Sequence, residues 1–228
     1  MNSLKYKFAL RRTATILSSV IVTLAIIAAV TGILIGFYYQ PAAGDAYKSL
    51  AQIDESIPFG WLIYSLHDKA GNRIIVVALV QLIVLFLGRQ FQRSWLTAWI
   101  SGVLLALSTI GLGWTAMILG WHQLGFWRLK VELGIIESIP LAGSGIRNFL
   151  TGGGGINGTT IVHFYTIHSY VLSVAAIALS VIHLVALIIQ EQEQKSSLLK
   201  QLEKLFTSIS QPHSLSTEIK AENVGSKK

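Results

Sequence analysis

Polar and apolar positions in this chain separate into long blocks, not into the one-faced or alternating patterns of a soluble domain. The first apolar block runs from Ala14 to Tyr39, and no charge falls between Ile16 and Phe37. The second is purest from Ile74 to Leu87 and begins near Trp61. The third covers Leu96 to Leu119 and the fourth Phe164 to Ile189. A helix needs about 20 predominantly apolar residues to cross the hydrocarbon core, so each block predicts a span. Ser18, Ser19, Thr31 and Gly32 in the first, with Gly102, Ser108 and Gly113 in the third, are the small residues that let helices or a flat ligand approach closely. Past Gln190 the pattern changes. Leu198, Leu199, Leu202, Leu205 and Phe206 recur at helical spacing among Lys and Glu, which predicts an amphipathic helix. Gln211 to Lys228 is polar and reads as disordered. The expected architecture is an all-α membrane protein, a four-transmembrane-helix bundle. It divides into an N-terminus of residues 1–13, a membrane domain of 14–189 and a tail of 190–228.

Composition agrees with lipid as the solvent. Of 228 residues, 52 % are hydrophobic and 13 % charged, about half the charge of an ordinary soluble domain. The absence of cysteine excludes disulfides, thiolate metal sites, iron–sulfur clusters and thioether-linked haem. A net charge of +7 could suggest nucleic acid, but the cations flank the apolar blocks and form no basic face. Lys5, Lys7, Arg11 and Arg12 precede the first block, Arg89 and Arg93 lie between the second and third, and Lys195, Lys200 and Lys204 follow the fourth. The other two connections carry Asp45, Asp54 and Glu55 or are nearly balanced, so the positive-inside rule places both termini on the cytoplasmic or stromal side. The first block exceeds a signal-peptide core and leads into Phe37-Tyr38-Tyr39 and Pro41, so it reads as a retained span. Gly152 to Gly155 with Gly158 lacks the strand, helix and lysine of a phosphate loop, which excludes a nucleotide site.

Histidines carry the candidate chemistry. His67, His168 and His183 fall within predicted spans, where a polar group is expensive and marks a function or a hydrogen bond to a neighbouring helix. The second and fourth spans start on the same side, so His67 and His168 lie at similar depth and could face each other. Two imidazoles from facing helices are an axial pair for haem iron. His183 lies 15 residues beyond His168, and the matching level on the second span, 14 beyond His67, is Gln81.

Several longer motifs accompany these residues. They are Phe37-Tyr38-Tyr39-Gln40-Pro41, Gly60-Trp61-Leu62-Ile63 with Ser65-Leu66-His67, Trp121-His122-Gln123-Leu124-Gly125-Phe126-Trp127, Ile139-Pro140-Leu141-Ala142-Gly143-Ser144 and His163-Phe164-Tyr165-Thr166-Ile167-His168. With them, residues 13 to 189 resemble cytochrome b6, the N-terminal four-helix portion of the cytochrome b family of b6f and bc1 complexes. The resemblance implies two b haems stacked between the second and fourth spans. His67 and His168 would ligate the outer, p-side haem, and His183 the inner, n-side haem opposite Gln81. It also implies small residues against the haem faces at Ser18, Gly32, Gly102 and Ala116. Expected partners are a subunit IV-like membrane protein, a Rieske protein, a c-type cytochrome and quinone, within a homodimeric complex and without nucleic acid. The membrane would be a bacterial plasma membrane or a thylakoid. The chain would be an electron-transfer subunit of a quinol–cytochrome c or plastocyanin oxidoreductase, not catalytic alone.

The departures from the family cluster around its cofactors. Gln81 replaces a ligating histidine, and Val84 and Ile188 replace cations that offset propionates. On the outer side Tyr64, Asp68 and His163 stand where the family has arginine. Ile16 stands where cytochrome b6 attaches a haem c, so no covalent haem c is expected, and Gly120-Trp121-His122-Gln123 replaces the proline-led motif at the quinol site. Three readings follow. The chain carries one p-side haem b; or it carries a second, five-coordinate haem on His183; or it is a haem-poor structural or regulatory paralogue scaffolding a membrane complex.

Overall fold

The computed structural model describes residues 2–88 and 95–210. The expected disorder of 211–228 and the side chains of Arg89 and Arg93 therefore lie outside the described residues. Two units are distinguished, divided between Leu187 and Ile188. The first contains α1 (Asn2–Gly36), α2 (Ala46–Ser56), α3 (Gly60–Leu87), α4 (Leu96–Leu119), α5 (Gln123–Glu137), α6 (Gly143–Thr151), α7 (Gly158–Thr166), a π-helical stretch (Ile167–Leu172) and the start of α8 (Ser173–Ser210). No strand forms among the described residues. Phe8–Gly36, Gly60–Leu87, Leu96–Leu119 and Gly158–Ser208 are long and apolar enough to cross a membrane, which makes this an integral multi-pass protein.

The bundle is packed as lipid solvent requires. Ala14, Ala25, Ala70, Ala78, Ala98, Ala106, Ala176 and Ala186 are buried, whereas Ile26, Ile33, Val76, Leu107 and Ile182 are exposed. Small residues face neighbouring helices and large apolar ones face outward, because lipid tails give no hydrophobic reason to bury the latter. One core cluster joins Ala14, Val84, Leu85, Trp95, Ala98, Ala186 and Leu187. A second joins Ile21, Ala78, Leu105, Ala106 and Ala176.

Two connections expected as loops contain helices. α2 buries Ala46, Ser49 and Ile53, and α5 buries Leu129 and Leu133. A search for span-length apolar runs passes over such short amphipathic segments. The first span also ends earlier than expected, at Gly36 instead of Tyr39. Pro41 disfavours helix at the residue before it, and Tyr39 turns back so that its hydroxyl donates to the Leu119 carbonyl at 2.8 Å. Burial, and secondarily the Tyr165 hydroxyl, push the Tyr39 pKa up, so this donor keeps its proton. In the second unit, Leu198, Leu199, Leu202, Leu205 and Phe206 are exposed on α8. They form no separate short helix, since no Gly or Pro falls between Gln190 and Ser210.

α2 approaches the start of α3 without room for a side chain. A Cβ on Gly60 would fall 1.7 Å from the Ile53 carbonyl oxygen. Backbone cannot yield as a flexible side chain does, so Gly60→Ala is expected to cost about 2 kcal/mol by overpacking. A lowered unfolding midpoint in detergent checks this.

Candidate functional site

His67 stands on the second turn of α3, and His168 on the π-helical stretch that follows α7. The register of that fourth span is set by an N-terminal capping box. The Asn157 side chain accepts from the Thr159 and Thr160 amides, and the Thr160 hydroxyl accepts from the Asn157 amide. Thr160 also donates to the Thr151 carbonyl at 2.9 Å, tying the start of the span to the end of α6.

The two imidazoles face each other with ring centroids 6.3 Å apart. Their hydrogen bonds run through Nδ1. His67 Nδ1 lies 2.9 Å from the Ala28 carbonyl, which can only accept, so Nδ1 carries the proton. His168 Nδ1 lies 2.9 Å from Thr115 Oγ1. The Thr115 hydroxyl donates to the Gly111 and Leu112 carbonyls, so it accepts from His168. Both Nε2 atoms are consequently left with a lone pair. Outer hydrogen bonds of this kind are what orient metal-ligating histidines.

The ring separation can be set against that of two imidazoles sharing one metal ion. A metal–imidazole bond of about 2 Å, with about 1.1 Å from nitrogen to ring centre, puts the centroids of two trans ligands about 6.2 Å apart. The observed 6.3 Å fits.

The Gln81 and His183 pair is different. Gln81 Nε2 lies 2.9 Å from His183 Nε2 and 3.0 Å from the Ala14 carbonyl oxygen. That carbonyl fixes the amide orientation, since only the NH2 group can donate to it. His183 Nε2 is therefore the acceptor, and its Nδ1 donates to Ser101 Oγ at 3.1 Å, while Ser101 donates to the Ala98 carbonyl. Gln81 is 1 % exposed and His183 fully buried. At 2.9 Å the two nitrogens are in direct hydrogen-bond contact, with the His183 Nε2 lone pair as the acceptor.

Four corners, each with its own small residue, organise these groups. A Cβ on Gly32 would fall 2.8 Å from His67 Cε1, and one on Gly102 3.0 Å from His183 Cε1. Ser18 is fully buried on α1, whereas Ala116, next to Thr115, is exposed on α4. At three corners a hydroxyl residue precedes the small one: Thr31-Gly32 at His67, Ser101-Gly102 at His183, Thr115-Ala116 at His168. At the fourth it is Leu17-Ser18, and there the α3 residue is Gln81. The hydroxyls that hold the rings went unassigned by sequence reasoning, although these repeated dipeptides were the signal for them.

The π-helical stretch was also missed, and it resolves a mismatch of spacing. At about 100° per residue, the 14 residues from His67 to Gln81 end about 40° short of four turns, whereas the 15 from His168 to His183 end about 60° past them. A π-bulge absorbs one residue. The fourth span thus presents both histidines in the phase that α3 presents its pair. The Ser173 hydroxyl donates to the Ser169 carbonyl within this region.

Other residues singled out by sequence lie apart from the imidazoles. Val84 is buried in an apolar cluster. Asp68 accepts from Asn72 at 3.1 Å. His122 caps α5 by accepting from the Gly125 amide, and His163 Nδ1 lies 3.0 Å from the Phe149 carbonyl.

The fold is that of a multi-pass helical membrane bundle that brings two half-buried imidazoles together from facing spans. The family model described as cytochrome b/b6/petB matches residues 7–192. Cytochrome b6 of Cyanidium caldarium is 35 % identical over 156 residues, 68 % of this chain and 71 % of that protein. Cytochrome b6 of Synechococcus elongatus is 33 % identical over 156 residues, covering 68 % and 73 %. The chain belongs to the cytochrome b family, whose members are haem b-binding subunits for electron transfer in membranes. A chain of a hyperthermophilic respiratory Complex III shares the fold with a TM-score of 0.64 at 22 % identity. That likeness covers 75 % of this chain and 47 % of the other, so the present chain spans about half its length.

Proposed function

We propose that this chain is a single-haem electron-transfer subunit of a quinol-oxidising complex, with haem b held on the p side by His67 and His168 and the n-side site closed by Gln81. The 6.3 Å separation of the two imidazoles carries this reading. Haem b bound there would supply a one-electron iron couple. The residues of the chain do the rest. Ala28 and Thr115 hold both rings as Nδ1–H tautomers, and Thr31 supports His67 at 3.3 Å. Gly32 lets the His67 ring pack directly on α1, where a Cβ would fall 2.8 Å from Cε1. On the n side, the Gln81–His183 hydrogen bond makes the pair unfit for iron.

Family membership supports the remaining assignments. They are a subunit IV-like protein, a Rieske protein and a c-type cytochrome as partners, quinol as substrate of the assembled complex, a homodimeric state, and both termini on the cytoplasmic or stromal side. A pyridine haemochrome assay on the complex isolated from its membrane tests the central claim. About one haem b per copy of this chain is expected; two would mean that the n-side site is functional.

One observation favours a second reading, a haem-poor structural paralogue. The Gln81–His183–Ser101 cluster joins α1, α3, α4 and α8 by hydrogen bonds alone, so that end of the bundle holds together without a cofactor. No haem in the intact complex would establish that reading. A narrower check uses Gly32→Val, whose branched side chain would fill the space at His67. Haem occupancy is expected to fall at least about tenfold, the size of effect seen when the support of a metal ligand is disturbed.

A further inference from the structure

Ser18 Oγ and Gln81 Oε1 are both buried side-chain oxygens without a hydrogen-bond partner. Ser18 is 0 % and Gln81 1 % exposed. A buried polar atom in this condition forfeits its hydrogen bonds to water without replacement, so two of them at one corner of the bundle point to a ligand. Ser18 is the exception among its neighbours. Thr13, Ser19, Thr23 and Thr31 each donate to the carbonyl four residues earlier on α1. For Ser18 that carbonyl belongs to Ala14, and Gln81 Nε2 already donates to it at 3.0 Å. The next choice, the Thr15 carbonyl, accepts from Ser19 at 3.1 Å.

The carboxamide of Gln81 is thereby anchored four residues, about 6 Å along the axis, from the level of Ser18 on the same face of α1. One atom is a hydroxyl able to donate; the other is a carbonyl able only to accept. They make no hydrogen bond to each other. A single guest must accept from the first and donate to the second, be neutral, and fit between helices.

We propose that Ser18 and Gln81 bind one buried water molecule, which accepts from Ser18 Oγ and donates to Gln81 Oε1. The water completes a hydrogen-bonded chain running in one direction across four helices. From Ser18 on α1 it passes through water to Gln81 on α3, from the Gln81 NH2 group to His183 Nε2 on α8, and from His183 Nδ1 to Ser101 and the Ala98 carbonyl on α4. Such chains polarise their members and strengthen one another, and buried waters characteristically satisfy polar groups of this kind. The site rests on the reading that no haem occupies the n-side pair.

A cryo-electron-microscopy map of the intact complex, at a resolution that shows ordered water, tests it. The expected result is isolated density within hydrogen-bonding distance of both oxygens, with Gln81 still bonded to His183. In a Ser18→Ala complex that density should be lost and the folding equilibrium should fall about threefold, the worth of an average interhelical hydrogen bond in a membrane. Haem at His67 and His168 should be unchanged. Direct contact of Ser18 with Gln81, or a corner without density, overturns the water site and leaves the single-haem reading standing. Haem density between Gln81 and His183 overturns both.

Discussion

Replacing His168 with alanine is expected to reduce the haem b content of the purified chain from about one to near zero, and His67→Ala should do the same. Each substitution removes one of the two imidazoles that would hold the iron. Thr115→Val probes the same site more gently. The hydroxyl that accepts from His168 Nδ1 disappears while the volume stays the same. The ring then loses its fixed orientation, and haem affinity should fall about tenfold, as for other outer-shell partners of metal ligands. Optical titration with haem measures both effects. Gln81→Leu provides the contrast, because it lies 14 residues along α3 from His67 and should leave the count at about one. Normal low-spin haem in His168→Ala would show that the axial pair is wrongly assigned.

Much of this arrangement was legible in the sequence, and the parts that were not share a physical reason. Long apolar runs located the four spans, and the third was placed at Leu96–Leu119 as observed. The facing of His67 and His168 followed from depth alone. Hidden from that reasoning were features that depend on what a neighbouring helix supplies. Thr31, Ser101 and Thr115 look like ordinary small residues in a span until the ring beside each is known. The π-helical stretch at Ile167–Leu172 has no compositional mark, and only the unequal spacings of 14 and 15 hinted at it. The substitution of Gln81 was visible, but its consequence was not. An amide is a poor iron ligand, and the structure adds that it actively engages the His183 lone pair.

His183→Ala is the substitution expected to cost the most stability while leaving haem untouched. The ring is fully buried, so its removal opens a cavity and leaves the Gln81 amide and the Ser101 hydroxyl with one partner fewer. Large-to-small changes in a core cost about 2–5 kcal/mol, but each interhelical hydrogen bond in a membrane contributes only about 0.6 kcal/mol. The low end of the range is therefore expected, about 2–3 kcal/mol. Ser101→Ala, which removes a single interhelical bond and almost no volume, should cost about 0.6 kcal/mol. A Gln81→Leu and His183→Leu double variant should recover much of the loss, because replacing both partners by apolar groups of similar shape avoids stranding either one. Unfolding in mixed detergent micelles gives the energies, and a haemochrome assay on the same samples gives the haem count. If His183→Ala lowers the haem content by half while the double variant fails to regain stability, His183 is a ligand after all. If stability falls and haem stays at about one, the hydrogen-bonded cluster holds that end of the bundle together without iron.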